Sequence, residues 1–149
     1  MPNATSWSHL ETPVALLDAA RLQANVDRMQ ATVGRLGAAL RPHVKTAKCV
    51  EVARLAQRAG ARGITVSTLK EAEVFFGAGF DDILYAVGLP PQRIGHVFDL
   101  LRRGCRLKVV VDSVGAARAV AEAASSAGAP ATRPEVLIEI DTDGHRAGV

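Results

Sequence analysis

A single unit recurs along this chain of 149 residues: an apolar-periodic helix, then a glycine, then a short strand rich in β-branched residues. Glycine suits the position after a helix because the residue there often takes a left-handed backbone. The glycines at this position are Gly37, Gly60, Gly79, Gly104 and Gly128. The strands predicted after them cover residues 39–45, 63–68, 82–87, 107–112 and 135–141. The pattern therefore predicts strands and helices in alternation, one βα unit after another.

Alternating strands and helices form parallel sheets with right-handed crossovers, and two architectures fit. An open doubly wound sheet could be complete with five strands, whereas an eight-unit barrel would be unfinished. Arg41, His43 and Lys45 alternate along the 39–45 strand and share one face, while central strands of open sheets are apolar on both faces. No G-x-G-x-x-G motif follows this strand, which weakens a dinucleotide-binding interpretation. The strand pattern favours the barrel.

The fold expected for residues 1–149 is α/β, the N-terminal part of a parallel (β/α)8 TIM-type barrel with about five of its units. The sequence ends soon after its last predicted strand, which we interpret as truncation. An extra strand is predicted at residues 12–18, outside the repeat.

Polar residues stand at the predicted starts of three helices. Asp18 caps the first, and Thr68 with Glu71 forms a capping-box pattern. Asp112 or Ser113 caps the helix that follows them.

Composition narrows the class of protein. Apolar residues make up 48% and charged residues 22%, the balance of a soluble globular protein, and no apolar run is long enough to span a membrane. The N-terminus lacks the features of a signal peptide, and two cysteines, Cys49 and Cys105, fit reduced thiols in the cytoplasm. The net charge of +3 comes from scattered arginines without a basic run, so nucleic-acid binding is not expected.

The most informative window is RPHVKTAK at residues 41–48, which holds two of the four lysines, Lys45 and Lys48. It lies at the C-terminal end of a predicted strand, where parallel α/β folds place active sites. A lysine crowded by other cations has a lowered pKa and becomes a usable amine nucleophile. Schiff-base chemistry needs a lysine because arginine cannot form an imine. The alternative for any single lysine is an exposed surface charge.

Basic side chains on one inward-facing strand repel one another and lose hydration. An anionic ligand such as a phosphate would relieve that cost. A buried salt-bridge network with Glu139 and Asp141 of the fifth predicted strand would do so equally well. The residue pattern does not decide between an anionic ligand and a salt-bridge network.

A second window covers residues 139–148, with a strand end, a glycine turn and then His145 and Arg146. The turn would hold Arg146 over the C-terminal edge of the sheet, where it could donate to an oxyanion such as a phenolate. Alternatively, Asp141, Asp143 and Gly144 are ordinary turn formers and Arg146 is an exposed charge.

Four segments together resemble one family. They are TPVALLD at 12–18, RPHVKT at 41–46, EAE at 71–73 and DTDGHRAG at 141–148, in this order along nearly the whole chain. They are similar to the D-serine dehydratase and D-threonine aldolase family, which shares the pyridoxal 5'-phosphate (PLP) barrel of alanine racemase.

The resemblance assigns roles to individual residues. Lys45 matches the catalytic lysine that binds PLP as a Schiff base, and His43 and Arg146 join it in binding the cofactor. Arg146 matches an arginine that approaches the phenolic oxygen of PLP. Glu139 stands where alanine racemases carry a lysine that steadies this arginine. Ala47 replaces a histidine of the family pattern, a departure that leaves the match of Lys45 intact.

The resemblance also implies a PLP-dependent lyase acting on a small D-amino acid. Loss of the Cα proton would lead to β-elimination in a dehydratase, cleavage of Cα–Cβ would make an aldolase, and reprotonation would make a racemase. The residues that choose among these lie beyond this chain. A PLP carrier without catalysis and an inactive fragment of the same barrel are further alternatives.

The family's longer chains imply parts that this sequence does not carry. These are a glycine-rich phosphate cup, a C-terminal β-domain and ligands for a divalent metal, in a full-length homodimer. No metal site is predicted within residues 1–149, and His9 and His96 are expected at the surface.

Overall fold

The computed structural model describes residues 8–127, 133–145 and 147–149. The helices in these ranges are α1 (Ala19–Arg35), α2 (Val50–Arg58), α3 (Leu69–Gly77), α4 (Ile94–Arg102) and α5 (Val114–Ser126). The strands are β1 (Ile64–Val66), β2 (Asp82–Gly88), β3 (Arg106–Val111) and β4 (Glu135–Ile138). A 3-10 turn at Pro91–Arg93 precedes α4. Four of the five predicted strands are therefore confirmed, with shifts at their ends.

The four strands form one parallel sheet in the order β1-β2-β3-β4, so neighbours in the chain are neighbours in the sheet. An open doubly wound sheet reverses its strand order at a switch point, and this sheet does not. Helices α3 and α4 pack on β1, β2 and β3. The strand order supports the barrel over the open sheet.

Burial along the strands shows which face the helices cover. In β2, Ile83 and Tyr85 are buried while Leu84 between them is only half-buried. In β3, Leu107 and Val109 are buried while Lys108 is half-buried. The buried set packs against the helices and forms the core, whose largest fully buried side chains are Phe75, Ile64, Ile83, Leu100, Leu107, Val66, Val97 and Val109. The other face carries Asp82 and Lys108 beside the apolar Leu84 and Val110, and it corresponds to the inside of a barrel.

The predicted strand at residues 39–45 is not a regular strand. Pro42 has no N–H to donate to a ladder, which limits the pairing. The segment still runs parallel to β1, since Val44 N donates to Thr65 O (2.9 Å) and Thr65 N donates to Pro42 O (2.9 Å). His43 and Thr65 form the one isolated bridge recorded there. The segment thus takes the place of a first strand with most of the ladder missing.

The strand predicted at residues 12–18 is wrong. Val14, Leu16 and Leu17 are exposed, Pro13 cannot donate, and none of the described strands pairs with this segment. Three cap predictions are confirmed: Asp18, Thr68 and Ser113 each accept a hydrogen bond from a backbone N–H in the first turn of the helix that follows. No described helix is long and apolar enough to cross a membrane.

Candidate functional site

A concavity of about 430 Å³ opens at the C-terminal edge of the sheet. One side is lined by His43, Lys45 and Ala86, and the other by residues of the segment that follows β4, including Glu139, Asp141 and His145. The structure therefore brings the two windows singled out in the sequence to one place. That edge is where parallel barrels carry their active sites.

Lys45 lies in a single tight turn formed by residues 44–48. The Lys48 N–H closes the turn by donating to Val44 O (2.8 Å). Lys48 has a φ of +47°, a left-handed conformation that costs a residue with a β-carbon roughly 1–2 kcal/mol. The Lys45 side chain is exposed on the concavity, and its amine makes no hydrogen bond or ion pair with any described residue.

His43 supports the turn from the strand side. Its Nδ1 accepts a hydrogen bond from the Lys45 N–H (3.3 Å), and its Nε2 lies 3.4 Å from Ser67 Oγ. Burial and the Lys45 charge lower the pKa of the His43 imidazole, and the Glu71 carboxylate opposes them only in part. The ring is therefore neutral at pH 7, and because Nδ1 accepts, its proton is on Nε2.

Glu71 is a buried carboxylate beside this turn. One oxygen, Oε1, lies 3.2 Å from Lys48 Nζ, and the other, Oε2, accepts a hydrogen bond from Ser67 N (2.8 Å). Burial opposes ionisation of Glu71, but the Ser67 N–H and the Lys48 ammonium outweigh it and hold the pKa of the carboxyl below its usual range. Glu71 is thus ionised at neutral pH, with each oxygen bound to a partner.

Arg41 does not join His43 and Lys45 in the expected cluster. Its guanidinium donates to the Asp82 carboxylate (2.9 Å), and the same carboxylate lies 3.4 Å from Lys108 Nζ. Burial disfavours the Asp82 carboxylate, but Arg41 and Lys108 overcome this and lower its pKa. The salt-bridge alternative is therefore realised for Arg41, with Asp82 as its partner in place of Glu139 and Asp141. Alternation along β2 places Asp82 on the inward face, a signal that was available in the sequence.

The segment after β4 is a compact turn. Asp141 Oδ1 accepts hydrogen bonds from the N–H groups of Asp143 (3.1 Å) and Gly144 (2.9 Å), as expected of a turn-forming aspartate. The chain then returns, and Val149 N donates to Glu139 O (2.9 Å). Glu139 Oε2 is buried and has no hydrogen-bond partner among the described residues. Arg146 lies outside the described residues, as does Gly128.

Two residues of this site were not assigned from the sequence. Ser67 has no distinguishing signal in the sequence. Glu71 is predicted as a capping-box residue and belongs to the EAE segment of the family resemblance, but neither signal gives it a role in the site. His9 is exposed and His96 is partly exposed, 3.5 Å from Glu73, so both lie at the surface as expected. In the described part of the chain, no group of three or more His, Cys, Asp and Glu residues is placed to hold a metal ion.

Residues 17–149 match the alanine racemase N-terminal domain family. The chain belongs to this family. The parallel sheet with its helices on one face is accordingly the first part of a TIM-type barrel, and the expected fold class is confirmed.

Relatives in the family are longer than this chain. It is 56% identical over 140 residues to a D-threo-3-hydroxyaspartate dehydratase of a Delftia strain, covering 94% of this chain and 36% of that protein. It is 37% identical to a D-threonine aldolase of an Arthrobacter species, covering 95% and 37%. A D-serine dehydratase of Dictyostelium discoideum is 31% identical, covering 98% and 38%. The chain thus spans a little over one third of the length of these relatives.

Solved structures of relatives superpose on this chain and have the same fold. The Delftia dehydratase superposes with a TM-score of 0.90 at 55% identity, covering 95% of this chain and 36% of that one. A variant of the same enzyme, solved in a metal-free form, gives the same score. A D-threonine aldolase of Filomicrobium marinum gives 0.83 at 31% identity, covering 93% and 37%.

Proposed function

We propose that this chain is the N-terminal part of a PLP-dependent lyase that acts on D-amino acids carrying a hydroxyl group on the β-carbon. The observation that carries the proposal is the position of Lys45, whose exposed amine lines the concavity at the C-terminal edge of the sheet. Family membership adds support, since lyases recur among the relatives.

The named relatives define the substrate class. Their names give D-threo-3-hydroxyaspartate, D-threonine, D-serine and 3-hydroxy-D-aspartate. All four share the D configuration at Cα and a hydroxyl group on Cβ. Both dehydration and aldol cleavage break a bond to that β-carbon, so the shared hydroxyl favours a lyase over a racemase.

The residues at this edge fit PLP. The Lys45 amine is not engaged by any described side chain, so it is available to bind the aldehyde covalently. His43 is neutral and holds the Lys45 backbone, which leaves the lysine free to extend into the concavity. Bound PLP supplies an electron sink for the electron pair released at the substrate Cα.

Glu139 supports a role for Arg146. Its buried oxygen Oε2 has no hydrogen bond among the described residues, so a neighbouring cation would stabilise it by supplying one. We propose that Arg146 donates to the phenolic oxygen of PLP and that Glu139 orients its guanidinium. A homodimer and a divalent metal bound outside this chain stay predictions of the family resemblance.

The test uses the full-length protein that carries this sequence, with added PLP. We expect D-serine, D-threonine or D-threo-3-hydroxyaspartate to yield ammonia and a 2-oxo acid, or glycine and an aldehyde. D-Alanine, which lacks the β-hydroxyl, should give neither. Turnover limited to interconversion of D- and L-alanine would replace this proposal with a racemase.

Matched variants locate the cofactor lysine. Lys45→Ala should abolish turnover and the visible absorbance of lysine-bound cofactor. Lys70→Ala, which removes an exposed lysine paired with Glu73, should keep both. Cofactor bound at Lys45 without turnover of any substrate would favour a carrier protein. Residues 1–149 alone should show no turnover, because Val136, Leu137 and Ile138 of β4 leave one sheet edge uncovered.

A further inference from the structure

One carboxylate contacts both sides of the turn that carries Lys45. Glu71 Oε1 is 3.2 Å from Lys48 Nζ, at the end of the turn, and Oε2 accepts from Ser67 N (2.8 Å), at the end of β1. The Glu71 side chain is only 9% exposed, whereas that of Lys48 is 64% exposed. The buried group is therefore the fixed member of the pair and the lysine is held by it.

Glu71 is itself fixed by the first turn of α3. Its N–H donates to Thr68 Oγ1 (3.0 Å), the cap of that helix. The carboxylate thus moves with a helix that packs on β1 and β2, and not with the turn. A rigid element therefore sets its position.

Ser67 extends the contact to Lys45. Its backbone N–H is bound to Glu71, and its Oγ lies 3.4 Å from His43 Nε2. The other ring nitrogen of His43 accepts the Lys45 N–H at 3.3 Å. A continuous set of polar contacts therefore runs from the buried carboxylate to the backbone of Lys45.

Lys48 is the contact of Glu71 on the other side of the turn. Its left-handed backbone is unfavourable for a residue with a β-carbon, so an interaction must stabilise it. The ion pair with Glu71 stabilises it together with the hydrogen bond from Lys48 N to Val44 O (2.8 Å). Loss of that pair would allow residues 44–48 to relax.

We propose that Glu71 is the positioning residue of the Lys45 turn, holding Ser67 and His43 on one side and Lys48 on the other. This inference rests on the proposed function for its significance, because it concerns where the cofactor lysine points. Lys48 then has a structural role beside Lys45 and is not an alternative cofactor lysine.

The test compares Glu71→Gln with Glu73→Gln in the full-length protein. Both remove a carboxylate from α3, but Glu73 pairs with Lys70 and His96, away from the turn. In cofactor-free protein, Glu71→Gln should speed amide exchange at Lys45 and Lys48 roughly tenfold or more, equivalent to about 1.4 kcal/mol. In cofactor-loaded protein it should also shift the pH midpoint of the visible absorbance. Glu73→Gln should do neither.

Lys48→Met supplies a second variant if Glu71→Gln fails to fold, because it removes the same pair from its exposed side. It should loosen the same amides, and the double variant should add little, since both changes remove one interaction. Unchanged exchange and an unchanged midpoint in the variants that fold would overturn the proposal, as would equal effects in Glu73→Gln. Absence of a cofactor band in the unmodified protein would reject the proposed function alone, because the exchange comparison does not need the cofactor.

Discussion

The guanidinium of Arg41 lies against Gly63, in the space that a β-carbon would need. Gly63 has a φ of +71°, which favours glycine, and it also approaches the backbone carbonyl of Asp82. Both the backbone conformation and the lack of space therefore exclude a larger residue at this position. This close approach lets Arg41 reach the start of β2 and donate to Asp82 O (3.2 Å) as well as to its carboxylate. The inward charge of Arg41 is therefore neutralised at the N-terminal end of the sheet, away from Lys45.

Asp82 is predicted to contribute strongly to stability. Asp82→Ala would remove the carboxylate shared by Arg41 and Lys108, while Lys108 keeps its pair with Glu135 (2.9 Å). It should lower the free energy of unfolding by about 2 kcal/mol, chiefly because the half-buried Arg41 loses its charged partner. Asp81→Ala is the matched control, because its pair with Arg106 is exposed and should contribute less than about 1 kcal/mol. Urea denaturation of the full-length protein measures both values. Equal losses of unfolding free energy in the two variants would contradict a special role of Asp82 in stability.

The same pair predicts a pH dependence. Because the folded state lowers the pKa of Asp82, its contribution is complete above the unfolded value of about 3.9 and is lost as the pH falls through the lower folded value. The difference between the two aspartate variants should therefore shrink in acid.

The two cysteines should react differently. Burial, with Asp81 nearby, raises the pKa of the Cys105 thiol to about 11, whereas Cys49 is only half-buried. Since the thiolate is the reactive form, Cys49 should be alkylated at neutral pH while Cys105 reacts only after unfolding. Mass spectrometry of peptides from the labelled native protein separates them. Rapid labelling of Cys105 would show that the start of β3 opens readily.

Arg146→Ala should weaken cofactor binding. Losing a charge-assisted hydrogen bond typically costs about 1.5–3 kcal/mol, so PLP affinity should fall at least tenfold. Arg133→Ala removes an exposed arginine just before β4 and serves as the control. A cofactor titration identical in both variants would make Arg146 only a turn residue.

Helix periodicity and the glycine expected after each helix indicated five helices, and polar caps marked the starts of three of them, because those signals are local. The strands at residues 12–18 and 39–45 could not be judged that way, since a strand needs a partner with matching donors. Val14 to Leu17 have no strand partner within the part of the chain that the structure describes, and Pro42 removes a donor from the other segment.

The site was predictable in outline only. Alternation placed His43 and Lys45 on one face, and the structure agrees. It could not show that Asp82 would take Arg41, because that choice depends on Gly63 leaving room for the guanidinium. The pairing of Lys48 with Glu71 likewise depends on the left-handed backbone of Lys48, which the sequence does not predict.

The order β1-β2-β3-β4 also bears on how such a chain emerges from the ribosome. The strands β2, β3 and β4 each find a hydrogen-bonding partner in the unit synthesised just before them. In a closed barrel the first strand instead waits for the last one, and the outer margin of the newest strand stays unpaired until the next unit arrives. Throughout synthesis, both margins of the growing sheet therefore need protection from other nascent chains.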